Sequence, residues 1–198
     1  VPCEFILNRN VISFKFPKGY QKKHPLIIDP VLIFSTYSGS SANNWGQTAT
    51  YDNAGHLYAG SISFAIGYPT TLGPYQALFA GGDTDMCITK FSVDGTALLY
   101  STYLGGGGNE NPHSLVVNDN DELFVLGSTG SANFPTTANA YDNSFNGGSN
   151  WGFIGSYIPY PNGIDIVVTK FSSNGNSLLS STFVGGTGND GINESGAN

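Results

Sequence analysis

The residues from Asp85 to Gly105, DMCITKFSVDGTALLYSTYLG, return at Asp165 to Gly185 as DIVVTKFSSNGNSLLSSTFVG. Eleven of these 21 positions are identical, and most others exchange like for like, such as Met86 for Ile166, Tyr103 for Phe183 and Leu104 for Val184. A match of that length at a fixed offset is an internal repeat, and a repeat constrains architecture before any local motif does.

The unit extends well beyond this stretch. Ser35-Thr36-Tyr37 recurs at Ser101-Thr102-Tyr103, an offset of 66, and again at Ser181-Thr182-Phe183, a further 80 residues on. Tyr68-Pro69-Thr70-Thr71, Tyr75 and Gly81-Gly82 recur at offset 66 as Phe134-Pro135-Thr136-Thr137, Tyr141 and Gly147-Gly148. The register then jumps by 14 before Asp165, so the second unit carries an insertion, about Trp151 to Ile164. The units run about 30–96 and 97–176, and 177–198 opens a third.

Each unit predicts four strands. Gly46 to Tyr51 and Ser114 to Asn118 fit the first, and Leu57 to Gly60 and Leu123 to Gly127 the second. Between them lie the turn clusters Asp52-Asn53-Ala54-Gly55 and Asn118-Asp119-Asn120-Asp121. Met86 to Phe91 and Ile166 to Phe171 make the third, and Leu98 to Leu104 and Leu178 to Val184 the fourth. Asp94-Gly95 and Asn174-Gly175 join the last two, pairs that favour tight hairpins because a positive φ costs them little. Along Leu98 to Leu104 bulky residues point both ways, which predicts a strand covered on both faces. Four-stranded sheets stacked radially meet that demand. The expected fold is therefore all-β, a β-propeller of four-stranded antiparallel blades, about two of them with flanking strands. A β-sandwich is the alternative, but it leaves the long repeat unexplained.

The order of motifs also resembles a known family. An Asp-x-x-Gly turn, Leu-Tyr-x-Gly, Phe-Pro-Thr-Thr, Ala-Tyr, Gly-Gly-x-x-Asp, Thr-Lys-Phe, Asp-Gly and Tyr-Ser-Thr-Tyr-Leu-Gly-Gly together look like the SBBP (β-propeller) repeat of bacterial secreted and cell-surface proteins. The likeness covers about Asp29 to Asn193, and the insertion and Ser149-Asn150 depart from it. It implies a propeller fold and an exported, extracellular or cell-surface location. It carries over no catalytic residues.

Residues 1–29 do not repeat. Alternation at Phe5-Ile6-Leu7 and Val11 to Phe16 predicts a hairpin and exit strand of a preceding β domain, and Pro25 to Pro30 looks like the junction to the repeats. Five of the seven basic residues (Arg9, Lys15, Lys18, Lys22, Lys23) lie here, scattered along the hairpin without interleaved aromatics. That spacing and a net charge of −7 argue against nucleic acid as a partner. No apolar run approaches the roughly 20 residues of a membrane helix, so no membrane insertion is expected. There is no initiating Met and no signal peptide, and only two units are complete, so the chain reads as part of a longer protein, whose remainder is an expected partner. Cys87 sits at an apolar position of the third strand, which predicts a buried thiol rather than a bridge to Cys3.

No motif sets up catalysis. His24, His56 and His113 do not recur, no zinc-ligand spacing exists, and nothing such as Gly-x-Ser-x-Gly presents a nucleophile. The expectation is a non-enzymatic module with no cofactor. Asn118 to Asp121 and Asp83-Thr84-Asp85 have the oxygen-rich look of Ca²⁺ loops without the spaced ligands of an EF-hand, and turn chemistry explains them equally well. The repeated Gly105-Gly106 and Gly185-Gly186 read as sharp turns between sheets.

The insertion, WGFIGSYIPYPNGI, is what the repeat explains least. Trp151, Phe153, Tyr157 and Tyr160 are the candidate binding residues, because aromatics with polar handles on a loop stack on sugars or anchor a protein. The expected partner is a protein or glycan at the cell surface. The competing reading is that the loop folds back and covers a sheet edge. Finally, Tyr37, Tyr103 and Phe183 share one repeat position and are expected to be buried alike.

Overall fold

In the computed structural model, residues 3–8, 11–21, 23–24, 32–152 and 158–191 are described, and they divide into two compact units, Val1–Ile33 and Phe34–Asn198. The first holds an antiparallel hairpin of β1 (Glu4–Asn8) and β2 (Val11–Lys15), as the alternation predicts. Pro25 to Pro30, Arg9 and Lys22 lie outside the described residues.

The second unit is all β, with no helix among the described residues. One four-stranded antiparallel sheet runs in chain order through β3 (Asn44–Tyr51), β4 (Leu57–Ser63), β5 (Asp85–Phe91) and β6 (Leu98–Leu104). The next runs through β7 (Glu110–Val117), β8 (Leu123–Thr129), β9 (Asp165–Phe171) and β10 (Leu178–Val184). All four strand positions expected from the repeat are present in both sheets, and the ladders keep the repeat register. Gly60 pairs with Thr48 and Ile88, and its counterpart Leu126 pairs with Ser114 and Val168. The sheets change at 105–109, a different cut of the chain from the repeat phase at 96/97.

The hairpin glycines behave as their neighbours require. Gly95 and Gly175 sit at φ of 69° and 68°, the left-handed region that other residues enter only at a cost. The same geometry leaves room above each for a ring, Phe34 on Gly95 and Tyr100 on Gly175.

The sheets stack face to face, β7 packing against β3, β4 and β5. The core between them joins Tyr58, Met86, Ile88, Tyr100 and Leu104 of the first sheet to Leu115, Leu123, Val125, Val167 and Phe183 of the second. Met86 reaches in where Gly127 leaves space, since a Cβ there would lie 2.4 Å from its methyl. On the first sheet's other face, Tyr68 and Phe79 of loop 64–84 cover Cys87 and Tyr103. Cys87 is a free, buried thiol, as expected, and Cys3 is free and exposed.

One expectation fails. Tyr103 and Phe183 are 1% and 0% exposed, but Tyr37 is 96% exposed. Tyr103 is held because its hydroxyl accepts the N–H groups of Gly67 and Tyr68, at 3.2 and 2.9 Å, from the loop that follows β4. Phe183 likewise packs on Phe134 and Phe145. Ser35-Thr36-Tyr37 belongs to no strand, and no such loop lies over it among the described residues.

Candidate functional site: the glycine-rich cleft at the base of the insertion

Asn109 follows the four glycines that lead from the first sheet to the second, and it is 5% exposed. Its side-chain oxygen accepts the N–H groups of Asp83 and Thr84, at 2.5 and 3.1 Å. Its amide donates to the Pro159 carbonyl at 2.5 Å. One side chain thereby ties three segments together: the loop before β5, the turn between the sheets and the insertion. The backbone adds a bond from the Glu110 N–H to the Thr84 carbonyl at 3.0 Å.

The joint recurs 80 residues on. The Asn189 side-chain oxygen accepts the Ile164 N–H at 3.2 Å, and the Asp190 N–H donates to the Ile164 carbonyl at 2.8 Å. Ile164 therefore stands where Thr84 stands, and Ser149, hydrogen-bonded to Asn189, stands where Asp83 stands. This fixes the insertion at residues 150–163, between the second and third strands as expected and one residue earlier than the sequence suggests.

Of the four candidate residues, Phe153 and Tyr157 lie outside the described residues. Trp151 and Tyr160 pair as an antiparallel bridge, each N–H donating to the other's carbonyl at 2.9 and 2.8 Å, with ring centroids 5.9 Å apart. Tyr160 is 4% exposed and packs over Gly130, and burial pushes its hydroxyl up to about 12. It anchors the base of the loop. Trp151 is half-buried.

Beside this base lies a cleft of 400 Å³ between the joint loops. Its walls are glycine backbone at Gly82, Gly107, Gly108 and Gly130, and its polar side chains are Asp83, Asn109, Ser131, Asn133 and Asn162. Asn133 accepts the Gly107 N–H at 2.7 Å and Ser131 the Gly108 N–H at 2.7 Å, which holds the turn open. The cleft can offer hydrogen bonds from amides, a hydroxyl and one carboxylate, which suits a polar, neutral ligand.

Behind the cleft two carboxyls are fully buried, Asp85 at the start of β5 and Glu110 at the start of β7. Glu110 accepts Thr129 Oγ1 at 2.6 Å, Ser131 Oγ at 2.5 Å and the Gly106 N–H at 3.1 Å. Asp85 Oδ2 accepts the Ala80 N–H, while the buried Oδ1, which faces the Glu110 carboxyl across Gly105, accepts no hydrogen bond from the described residues. Burial, opposed by that amide and aided by the Glu110 charge, pushes Asp85 up to about 8; burial also raises Glu110. The pair shares a proton at neutral pH, as two close carboxyls do. A Cβ at Gly105 would lie 2.5 Å from both, so only glycine fits there. Asp165 and Asp190 repeat the arrangement at the next joint.

Sequence reasoning missed Asn109, Glu110 and the pairing of Asp85. The signal was there: Asn109-Glu110 returns as Asn189-Asp190 after the glycines, at the offset of the strands. The oxygen-rich stretches are in use locally. Asn118 accepts the N–H groups of Asn120 and Glu122, both at 3.0 Å, and Thr84 Oγ1 donates to the Glu110 carbonyl. Among the described residues no group of three or more His, Cys, Asp or Glu side chains gathers to hold a metal. His113 donates or accepts at Ser128 at 3.0 Å, and burial lowers its pKa. No family model matches the chain, and no curated protein matches it.

Proposed function

We propose that this chain is a β-propeller segment, its two sheets being neighbouring blades, that serves as a non-catalytic interaction module of a larger exported or cell-surface bacterial protein. The observation that carries this reading is the joint. The same asparagine clasp leaves each sheet, at Asn109 and at Asn189, so the first stacking step is built to repeat. A rigid stack with loops gathered at one end is a frame for binding, and the insertion rises from that end, beside the 400 Å³ cleft. The partner is a protein or glycan at the bacterial surface. The motif order set out above supports the exported setting, and no arrangement of nucleophile, base and acid in the cleft favours a reaction.

Carbohydrate recognition is the second reading, favoured by one observation: a half-buried indole, Trp151, stands next to a cleft with Asp83, Asn133 and Asn162 on its walls. One experiment separates the two. A glycan array and a pull-down from surface extracts are run with the native chain and with Trp151→Ala. A glycan signal lost in the variant supports sugar binding; capture of a surface protein with no glycan signal supports the adhesive module. Neither signal from a folded chain overturns both.

A further inference from the structure

The segment Phe34–Ser38 is the repeat counterpart of Tyr100–Leu104 in the outer strand β6, yet it belongs to no sheet. It is nevertheless placed as an outer strand. The Phe34 ring sits over Gly95, where a Cβ would lie 2.2 Å from it, just as the Tyr100 ring sits over Gly175, at 2.3 Å. Phe34 also packs on Phe91, centroids 6.4 Å apart, at the end of the first sheet's third strand. Inside this segment, between it and the first sheet, runs a groove of 620 Å³. Its floor holds Ala49, Ala59 and Gly60. At the first two positions the second sheet has Leu115 and Val125, which fill the equivalent space against their neighbour.

We propose that the groove beside Phe34–Ser38 is a strand-addition site, and that its occupant is an extended segment with the third-strand pattern of this repeat, Asp-x-apolar-x-Thr-Lys-aromatic. The argument is continuity with the ladders already described. In both sheets the fourth strand pairs antiparallel with such a strand. In both, the pair is locked by one buried bond between hydroxyls, Thr89 to Ser101 at 2.8 Å and Thr169 to Ser181 at 2.9 Å. Ser35 is the counterpart of Ser101, is exposed, and has no hydrogen-bond partner among the described residues. By the β5–β6 register the incoming Thr lies opposite Ser35, the Lys opposite Phe34, and the residue after the first apolar one opposite Thr36. Main-chain bonds to an unpaired segment supply affinity, and alternate side chains entering pockets supply selectivity. The small floor residues favour a bulky side chain from the occupant above Ala49. The inference rests on the repeat and its stacking, not on the insertion or the cleft.

The test uses the full chain and a synthetic end-blocked peptide, DIVVTKF, the sequence of Asp165–Phe171, with backbone amide shifts as the readout. Saturable shifts at Phe34–Ser38 and at Thr48–Ala49 are expected. Replacing the peptide Thr by Val is expected to weaken binding about threefold or more, and a scrambled peptide is expected not to bind. Two variants of the chain are expected to weaken it at least tenfold: Thr36→Pro, which removes the backbone donor that the β5–β6 register turns towards the incoming strand, and Ala49→Leu, which fills the floor with the residue the second sheet already carries there. Both are checked for unchanged melting. No binding at millimolar peptide overturns the proposal. So does binding that both variants leave intact, or shifts confined to β10 and the far face of the second sheet. Self-association of the chain through the groove, with the peptide excluded, also overturns it and makes a second copy the occupant.

Discussion

The two sheets share one repeat but differ in what covers them. The face of the first sheet that carries Tyr58, Met86, Ile88 and Leu104 is sealed by the second, and all four residues are 0% exposed. The matching face of the second sheet carries Phe124, Ile166, Val168 and Val184, and no sheet lies over it among the described residues. Val184 is 43% exposed, and Val116 and Leu126 on the same sheet are 58% and 41%. The loops tell the same story: Tyr75 packs on Phe171 of the second sheet, whereas its counterpart Tyr141 is 92% exposed. Sequence type therefore sets what a strand can bury, and neighbours decide what it does bury.

Charge follows the same logic within each sheet. In the first, Asp52 accepts bonds from the Ala54 and His56 N–H groups, the His56 ring, the Tyr58 hydroxyl and Lys90, so although burial opposes its charge, these partners hold its carboxyl well below the usual range. Lys90 also lies over the Tyr58 ring, 4.8 Å from its centroid. In the second sheet the position of Asp52 is Asn118, and the lysine partner moves four residues to Glu122, at the position of His56. The first pair is sealed and the second is solvated.

The sharpest way to break this comparison is to truncate one ring position in two settings. Tyr103→Ala should cost about 3 to 5 kcal/mol, the usual loss for a large buried ring, while Tyr37→Ala should stay within about 0.5 kcal/mol. Urea unfolding of both variants decides it; similar losses would mean that exposure does not distinguish them. Next is the lysine pair. Lys90→Met should cost about 1 to 3 kcal/mol, because it removes a charged partner from a buried Asp52 that keeps its bonds to Ala54, His56 and Tyr58, whereas Lys170→Met should leave the melting temperature almost unchanged.

Acid titration sharpens the joint. Asp85 stands at about 8 in the folded chain against an ordinary 3.8. Its contribution to stability is therefore complete below pH 4 and is lost as the pH rises towards 8. Melting followed from pH 4 to pH 9 should show a decline in stability with rising pH that is absent in Asp85→Asn, which keeps one donor for Glu110. A profile unchanged by that substitution would assign the proton elsewhere. The smallest effect separates the two glycine turns. A Cβ at Gly106 would lie 2.6 Å from Ser131, but none of the described residues comes within 4 Å of one at Gly186. Gly106→Ala should cost about 1 to 2 kcal/mol by overpacking, and Gly186→Ala next to nothing by the same melting assay.

The strands were legible because pattern and punctuation agree twice. Asp94-Gly95 and Asn174-Gly175 mark the hairpins, and a matched apolar run follows each. The stacking was foreshadowed by bulky residues on both faces of Leu98–Leu104. Tyr37 was misread because burial belongs to a ring's surroundings, and Ser35-Thr36-Tyr37 repeats the strand without the loop that covers it. The carboxyl pair escaped for a related reason: Asp85 and Glu110 are 25 residues apart and meet only when one sheet's third strand and the next sheet's first come together. In the insertion, residue type pointed to aromatics on a loop, but it could not tell Tyr160, buried against Gly130, from Trp151, left half-buried.

The bridge between Trp151 and Tyr160 bears on how fast the two sheets form. Before β9 can pair with β8, residues 130–164 must close on themselves, against residues 64–84 in the first sheet. The longer span costs about 0.5 kcal/mol more in chain entropy, a modest handicap that slows the second hairpin relative to the first. A bridge that forms early gathers residues 151–160 into a small ring of their own and returns the remaining span close to the length used in the first sheet. The insertion then adds surface without adding search time, and the order in which the two sheets appear during refolding becomes sensitive to one pair of aromatic residues.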